Sequence, residues 1–113
     1  MMYTEFTAGN KEYKLRLNTR AVIALEKQIG CNPLAIFMGT NGSERVPAIT
    51  EMVAVLHASL QAFEHGISLN DTYDIFDAYL DDGHTPLDFV SVIMDVYKES
   101  GIMPKTKETT EKN

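Results

Sequence analysis

The chain has little that could carry covalent chemistry or hold an ionic partner. Cys31 is the single cysteine among 113 residues, so no internal disulfide can form, and a reducing, cytosolic compartment fits. Lys and Arg number 10 against 16 Asp and Glu, a net charge of −6. Nucleic-acid affinity comes largely from cationic side chains that neutralise phosphates, and anionic membranes attract the same side chains. An acidic chain without a basic cluster suits neither. No apolar run is longer than Met52 to Leu56, which falls far short of the ~20 residues that cross a bilayer. Met1-Met2-Tyr3-Thr4-Glu5-Phe6 lacks the basic and apolar segments of a signal peptide. There is no Gly-rich phosphate loop. Ser59 and Ser91 stand outside any Gly-x-Ser-x-Gly setting.

What remains is ordinary globular material, 44% hydrophobic and 23% charged. A chain of this length buries roughly two-thirds of its unfolded surface, enough for a core without cross-links. The expected organisation is one mostly helical α+β domain over residues 1–103. The polar stretch 104–113 has no apolar residue after its proline and is expected to be disordered.

Gly9-Asn10 is a favoured two-residue hairpin turn. It fixes a register in which Phe6 faces Tyr13, Thr4 faces Leu15 and Met2 faces Leu17 on one apolar side. On the other side Glu5 meets Lys14 and Tyr3 meets Arg16, pairings that favour the same register. An isolated two-stranded hairpin is marginal in water, so helices must cover its apolar face. About five are expected. Asn18 or Thr19 caps the first, with Val22, Leu25 and Ile29 at helical spacing and Gly30 as its stop. Asn32-Pro33 opens a short one over Leu34–Met38. Pro47 opens a long helix, about 48–64, with Ile49, Met52, Val53, Leu56, Leu60 and Phe63 in one stripe. Its apolar circumference is that of a central, buried helix. Asn70 caps a helix of about 71–82, where Tyr73, Phe76 and Leu80 point one way. Thr85-Pro86 opens the last, about 86–100.

Several constellations invite a chemical reading and have a simpler one. Asp71, Asp74, Asp77, Asp81 and Asp82 are spaced by three to four, as on a solvated helix face, whereas a calcium loop spaces its ligands by two. His57 and His65 are eight residues apart, about 80° out of line on a helix, and zinc-binding helices favour closer spacing. Cys31 has no base or orienting group marked near it. Ala21–Phe37 resembles a helix-turn-helix in outline. Its second helix, however, offers Leu34, Ala35, Ile36, Phe37 and Met38, a packing face without base-reading side chains. Neither enzymatic activity, nor a cofactor, nor a metal is expected. One signal stays open. The last helix carries Val92 and Met94 outside its main stripe. Such residues serve either adaptable binding or the core, and the sequence leaves both readings standing.

The runs Tyr13-Lys14-Leu15-Arg16-Leu17-Asn18 and Leu25-Glu26-Lys27-Gln28-Ile29-Gly30-Cys31-Asn32-Pro33-Leu34 resemble the tail assembly chaperones of long-tailed phages and prophages. Ser68-Leu69-Asn70-Asp71 and Asp81-Asp82-Gly83-His84-Thr85-Pro86-Leu87 extend the likeness over about residues 3–101. The resemblance implies a non-enzymatic protein that keeps a tape measure protein soluble while tail tube subunits polymerise around it. It implies action in the bacterial host cytoplasm and absence from the finished virion. The implied partners are the tape measure protein and then the tail tube protein, with self-association open. The family has no motif fixing individual contacts. The candidate partner surface therefore comes from the helical reading: Val92 and Met94 for apolar contact, Asp74 and Asp81 for solubility. Two other functions remain in view. One is a structural tail or head-completion protein adding strands at the hairpin's edges. The other is a small nucleic-acid-binding regulator.

Overall fold

A computed structural model of the chain describes residues 2–104. Strands β1 (Thr4–Ala8) and β2 (Lys11–Leu15) form a two-stranded antiparallel sheet. Thr4 pairs with Leu15, Glu5 with Lys14 and Phe6 with Tyr13, the expected register. Gly9 carries the turn at φ 65°, a left-handed conformation that glycine adopts without a Cβ clash. Its N–H donates to Asp82 Oδ2 at 2.8 Å, fastening the turn to a distant helix end.

The ladder stops at Thr4–Leu15, so Met2 does not meet Leu17 and stays exposed. The cause lies just past Leu15. Arg16 N–H donates to Ser59 O at 2.9 Å and Leu17 N–H to Ser100 Oγ at 2.9 Å, so the second strand leaves the first for the helices. Arg16 Nη1 turns back to Met2 O at 2.7 Å. The cation over the Tyr3 ring is Lys14, 5.0 Å from its centroid, and not Arg16.

Four α-helices follow: α1 (Thr19–Ile29), α2 (Ile49–Leu60), α3 (Leu69–Asp81) and α4 (Pro86–Glu99). The expected fifth, at Asn32-Pro33, is a single 3-10 helix, Pro33–Phe37. Asn32 caps it as expected, but its bonds run i to i+3 from Ala35 N–H to Asn32 O and from Met38 N–H to Ala35 O. Such turns seldom exceed one repeat or so. Asn18 Oδ1 caps α1 by accepting from Ala21 N–H, and Gly30 ends it at φ 76°. The α2 helix stops at Leu60 rather than near 64. Gln61 explains the early stop: its Nε2 donates to His57 O and Ile67 O, and its Oε1 accepts from Gly66 N–H. These bonds fold 61–66 into a turn and leave Phe63 exposed, outside the apolar stripe. The α3 helix begins two residues earlier than expected. Ser68, not Asn70, is the cap, with Asp71 N–H on Ser68 Oγ and Ser68 N–H on Asp71 Oδ2.

The core forms around α2, which packs against α1, α3, α4 and β2. Every α2 residue from Met52 to Leu60 except His57 is buried. The hairpin's apolar side meets α3 and α4, with Phe6 beside Tyr79 and Phe89 at 5.0 and 5.7 Å between ring centroids. Ser59 and Thr72, both buried, satisfy their hydroxyls on Leu56 O and Ser68 O. The segment 105–113, expected to be disordered, lies outside the described residues apart from its preceding Pro104.

Two details carry measurable consequences. Tyr97 is fully buried, and its hydroxyl donates to Pro33 O at 2.9 Å, pinning the 3-10 helix to α4. Burial pushes its phenol far above the usual value of 10. Tyr97→Phe removes this buried hydrogen bond, which costs about 0.5–1.5 kcal/mol. Urea unfolding will show that loss; an unchanged midpoint would mean the bond adds nothing.

The second detail concerns the start of α2. Glu51 Oε1 accepts from Ala48 N–H at 2.8 Å while its Oε2 meets Arg45 at 2.7 Å. Burial raises the Glu51 pKa, but the Arg45 and Ala48 hydrogen bonds outweigh it, and the carboxyl sits below its usual 4.5. A carboxyl depressed on folding stabilises fully above its unfolded pKa, and that stability fades as pH falls through the folded value. Wild type will therefore melt above Glu51→Gln at about pH 6, and the gap will close toward about pH 3. A gap that holds constant across this range would contradict the assignment.

Candidate functional site

A groove opens between the first turns of α2 and the facing side of α3. Leu69, Tyr73, Phe76 and Asp77 form the α3 wall. Ile49, Thr50 and Val53 form the α2 wall, and Gln28 of α1 closes one end. The spacing on α3 is i, i+4, i+7 and i+8, one face of a helix. The groove holds about 310 Å³. Val53 and Phe76 are buried at its floor, whereas Ile49 and Tyr73 remain 48% and 47% exposed at its rim. A shallower recess lined by Gln28, Ile29, Thr50, Glu51 and Ala54 adjoins it. The two share Gln28 and Thr50, so the depression runs along the α1–α2 seam.

Ile49 and Tyr73 carry the sequence signature of core residues, because both fall on apolar stripes. The structure places both at a surface. Each sits in the first turns of its helix, before the neighbouring elements close over it. Val92 and Met94, the expected apolar contacts, are not the exposed apolar residues of the molecule. Val92 is half-buried and packs against the core, and Met94 is half-buried, on either side of the fully buried Ile93. Asp74 and Asp81 are exposed on α3 as expected. They follow Asp77 round the helix within about 60°, at 3.6 residues per turn. Of these carboxylates Asp77 lines the groove, Asp81 follows it one turn on, and Asp74 lines a separate recess with Lys11, Tyr13 and Glu64; Val92 and Met94 line neither.

A larger pattern escaped the helix-by-helix reading. Residues 46–97 contain no Lys or Arg, although Glu51, Glu64, Asp71, Asp74, Asp77, Asp81, Asp82, Asp88 and Asp95 lie among them. Counting cations along the chain would have found it. On α3 this distribution works against the helix. Asp77 and Asp81 are like charges at i, i+4, a pairing that costs about 0.2–0.5 kcal/mol. Asp81 also lies near the negative C-terminal end of the helix dipole. Asp71 and Asp82 are accounted for by the Ser68 cap and the Gly9 latch. Asp74, Asp77 and Asp81 make no hydrogen bond or ion pair among the described residues.

The remaining candidate groups are occupied structurally. His57 Nε2 lies 3.0 Å from Ile67 O, and His84 stacks on Tyr79 at 4.3 Å. His65 is exposed at the 61–66 turn. Cys31 is half-buried and free, packed on the core. Among the described residues no group of three His, Cys, Asp or Glu is placed to hold a metal. The helix-turn-helix outline ends in the 3-10 helix with Pro33 and Ile36 buried, so it presents no recognition helix. No helix among the described residues is long and apolar enough to cross a membrane.

Residues 4–113 match a family described as a family of unknown function, DUF6096, and the chain belongs to it. No curated protein and no solved structure matches the chain.

Proposed function

We propose that this protein is a non-catalytic holder of an apolar helical client, acting as a phage tail assembly chaperone on a tape measure protein. The observation that carries the reading is the groove between α2 and α3. It is concave and apolar at its floor, and it keeps Ile49 and Tyr73 open to solvent. Grooves of this kind receive the apolar face of an amphipathic helix. The acidic outer face of α3 would keep a loaded complex soluble. The motif likeness at Tyr13–Asn18 and Leu25–Leu34 supplies the identity of the client. The contact is assigned to the groove rather than to Val92 and Met94, and the host cytoplasm is where the work is done.

The test is co-expression with a candidate tape measure protein of a long-tailed phage or prophage. The client is expected to move from the pellet to the soluble fraction when this chain is present. Equal insolubility with and without it would end the reading.

A second reading has its own observation. Among the described residues the sheet has two strands, and neither outer edge has a strand partner. Unpaired edges can add strands from another subunit, which suits a structural tail component. Mass spectrometry of purified virions separates the two, since a chaperone is expected to be absent there.

A further inference from the structure

We infer that the α2–α3 groove takes one amphipathic helix whose apolar stripe is flanked by Lys or Arg. This rests on the client-holding reading and adds where the client lies and what charge it carries. Three observations converge. The lining supplies apolar contact from Ile49, Val53, Leu69, Tyr73 and Phe76, with Asp77 at the edge. Asp81 continues that edge one turn on, whereas Asp74 lines a separate recess with Lys11; neither Asp77 nor Asp81 has a hydrogen-bond or ion-pair partner among the described residues. No Lys or Arg from 46 to 97 competes for them. Like charges on one helix face weaken that helix, and cations arriving on a client would relieve the repulsion. Complementary charge of this sort sets orientation and partner choice more than raw affinity. The wall from Leu69 to Asp77 runs about 12 Å at 1.5 Å per residue, room for two or three anchors at i, i+4 and i+7.

The experiment uses the full chain and two labelled synthetic peptides of about 18 residues, some five helical turns. Both carry the same leucine stripe; one has Lys at the flanking positions and the other Glu. Fluorescence anisotropy is expected to show the Lys peptide binding roughly tenfold more tightly, as attraction of Lys and repulsion of Glu at two exposed carboxylates together can supply. Tyr73→Glu should remove binding of both peptides. The double variant Asp77→Lys, Asp81→Lys should reverse the preference, a result that misfolding cannot produce. Equal binding of the two peptides would overturn the charge assignment. Binding that survives Tyr73→Glu would overturn the location. Binding of neither peptide would overturn both.

One competing occupant is a second copy. The outer stripe of α1 carries Arg20, Ile23 and Lys27, all exposed. Self-association that Tyr73→Glu abolishes, with no peptide binding, would replace the proposal with that contact. The chaperone reading fails separately. Peptide binding without client rescue removes the chaperone and leaves the groove, whereas client rescue without peptide binding does the reverse.

Discussion

Phe89→Ala is expected to lower the melting temperature by roughly 15–30 °C. Phe89 is 1% exposed and sits where the hairpin meets α3 and α4. Its ring meets Phe6 at 5.7 Å, Phe76 at 5.3 Å and Tyr79 at 5.7 Å, each close to edge-on. Edge-to-face pairs contribute about 0.5–1.5 kcal/mol each beyond the area they bury. Truncating a buried Phe to Ala costs about 3–5 kcal/mol, because the surroundings fill the cavity only in part. Domains of this size hold only about 5–15 kcal/mol in total. Leu87, in the first turn of the same helix, is 63% exposed. Leu87→Ala should change stability by no more than about 0.5 kcal/mol. Calorimetry on both variants decides the matter. If Phe89→Ala melts like Leu87→Ala, the aromatic cluster does not hold the hairpin to the helices.

The second large effect tests the proposed client groove. The double variant Ile49→Asp, Tyr73→Asp should abolish rescue of the tape measure protein on co-expression. Both side chains are about half exposed, so the fold has no cavity to lose. A client helix seated on them would instead bury two uncompensated carboxylates. Losing a single interface anchor costs about 2 kcal/mol or more, and therefore roughly 30-fold in affinity. Met38→Asp, Leu87→Asp is the matched control, since it charges two exposed apolar positions outside the groove lining. Rescue lost in the control and kept in the groove variant would place the client elsewhere on the surface.

The hairpin was readable because one local signal determines it. Gly9-Asn10 sets the turn, and a period of two then assigns every side chain. Helix starts at Asn18, Asn32 and Thr85 were readable for a similar reason, since capping side chains bond within three residues. The errors arose where distant groups decide. Gln61 ends α2 through bonds to Gly66 and Ile67, which no periodicity reveals. Met2 is left out because Ser59 and Ser100 draw the second strand away. The groove was illegible for the same reason. Ile49 and Tyr73 lie on correct apolar stripes, and only the packing angles of α2, α3 and α1 decide that nothing covers them. Val92 illustrates the converse: it lies outside the main stripe and still finds the core. The exposure of Asp74 and Asp81 was legible, because charge at helical spacing goes to solvent whatever the tertiary arrangement.

The aromatic junction also sets a schedule for biosynthesis. Phe6 finds its ring partner Phe89 only after 83 further residues have been added. At about 5–20 residues per second, that is an interval of roughly 4–17 seconds on the ribosome. Until α2 and then Tyr79 have been added, the nascent hairpin displays Phe6, Tyr13 and Leu15 with little to lie against, and premature sticking to neighbouring nascent chains is the hazard. Slowing translation just ahead of α4 should lower the yield of this protein more than the same pause placed after it.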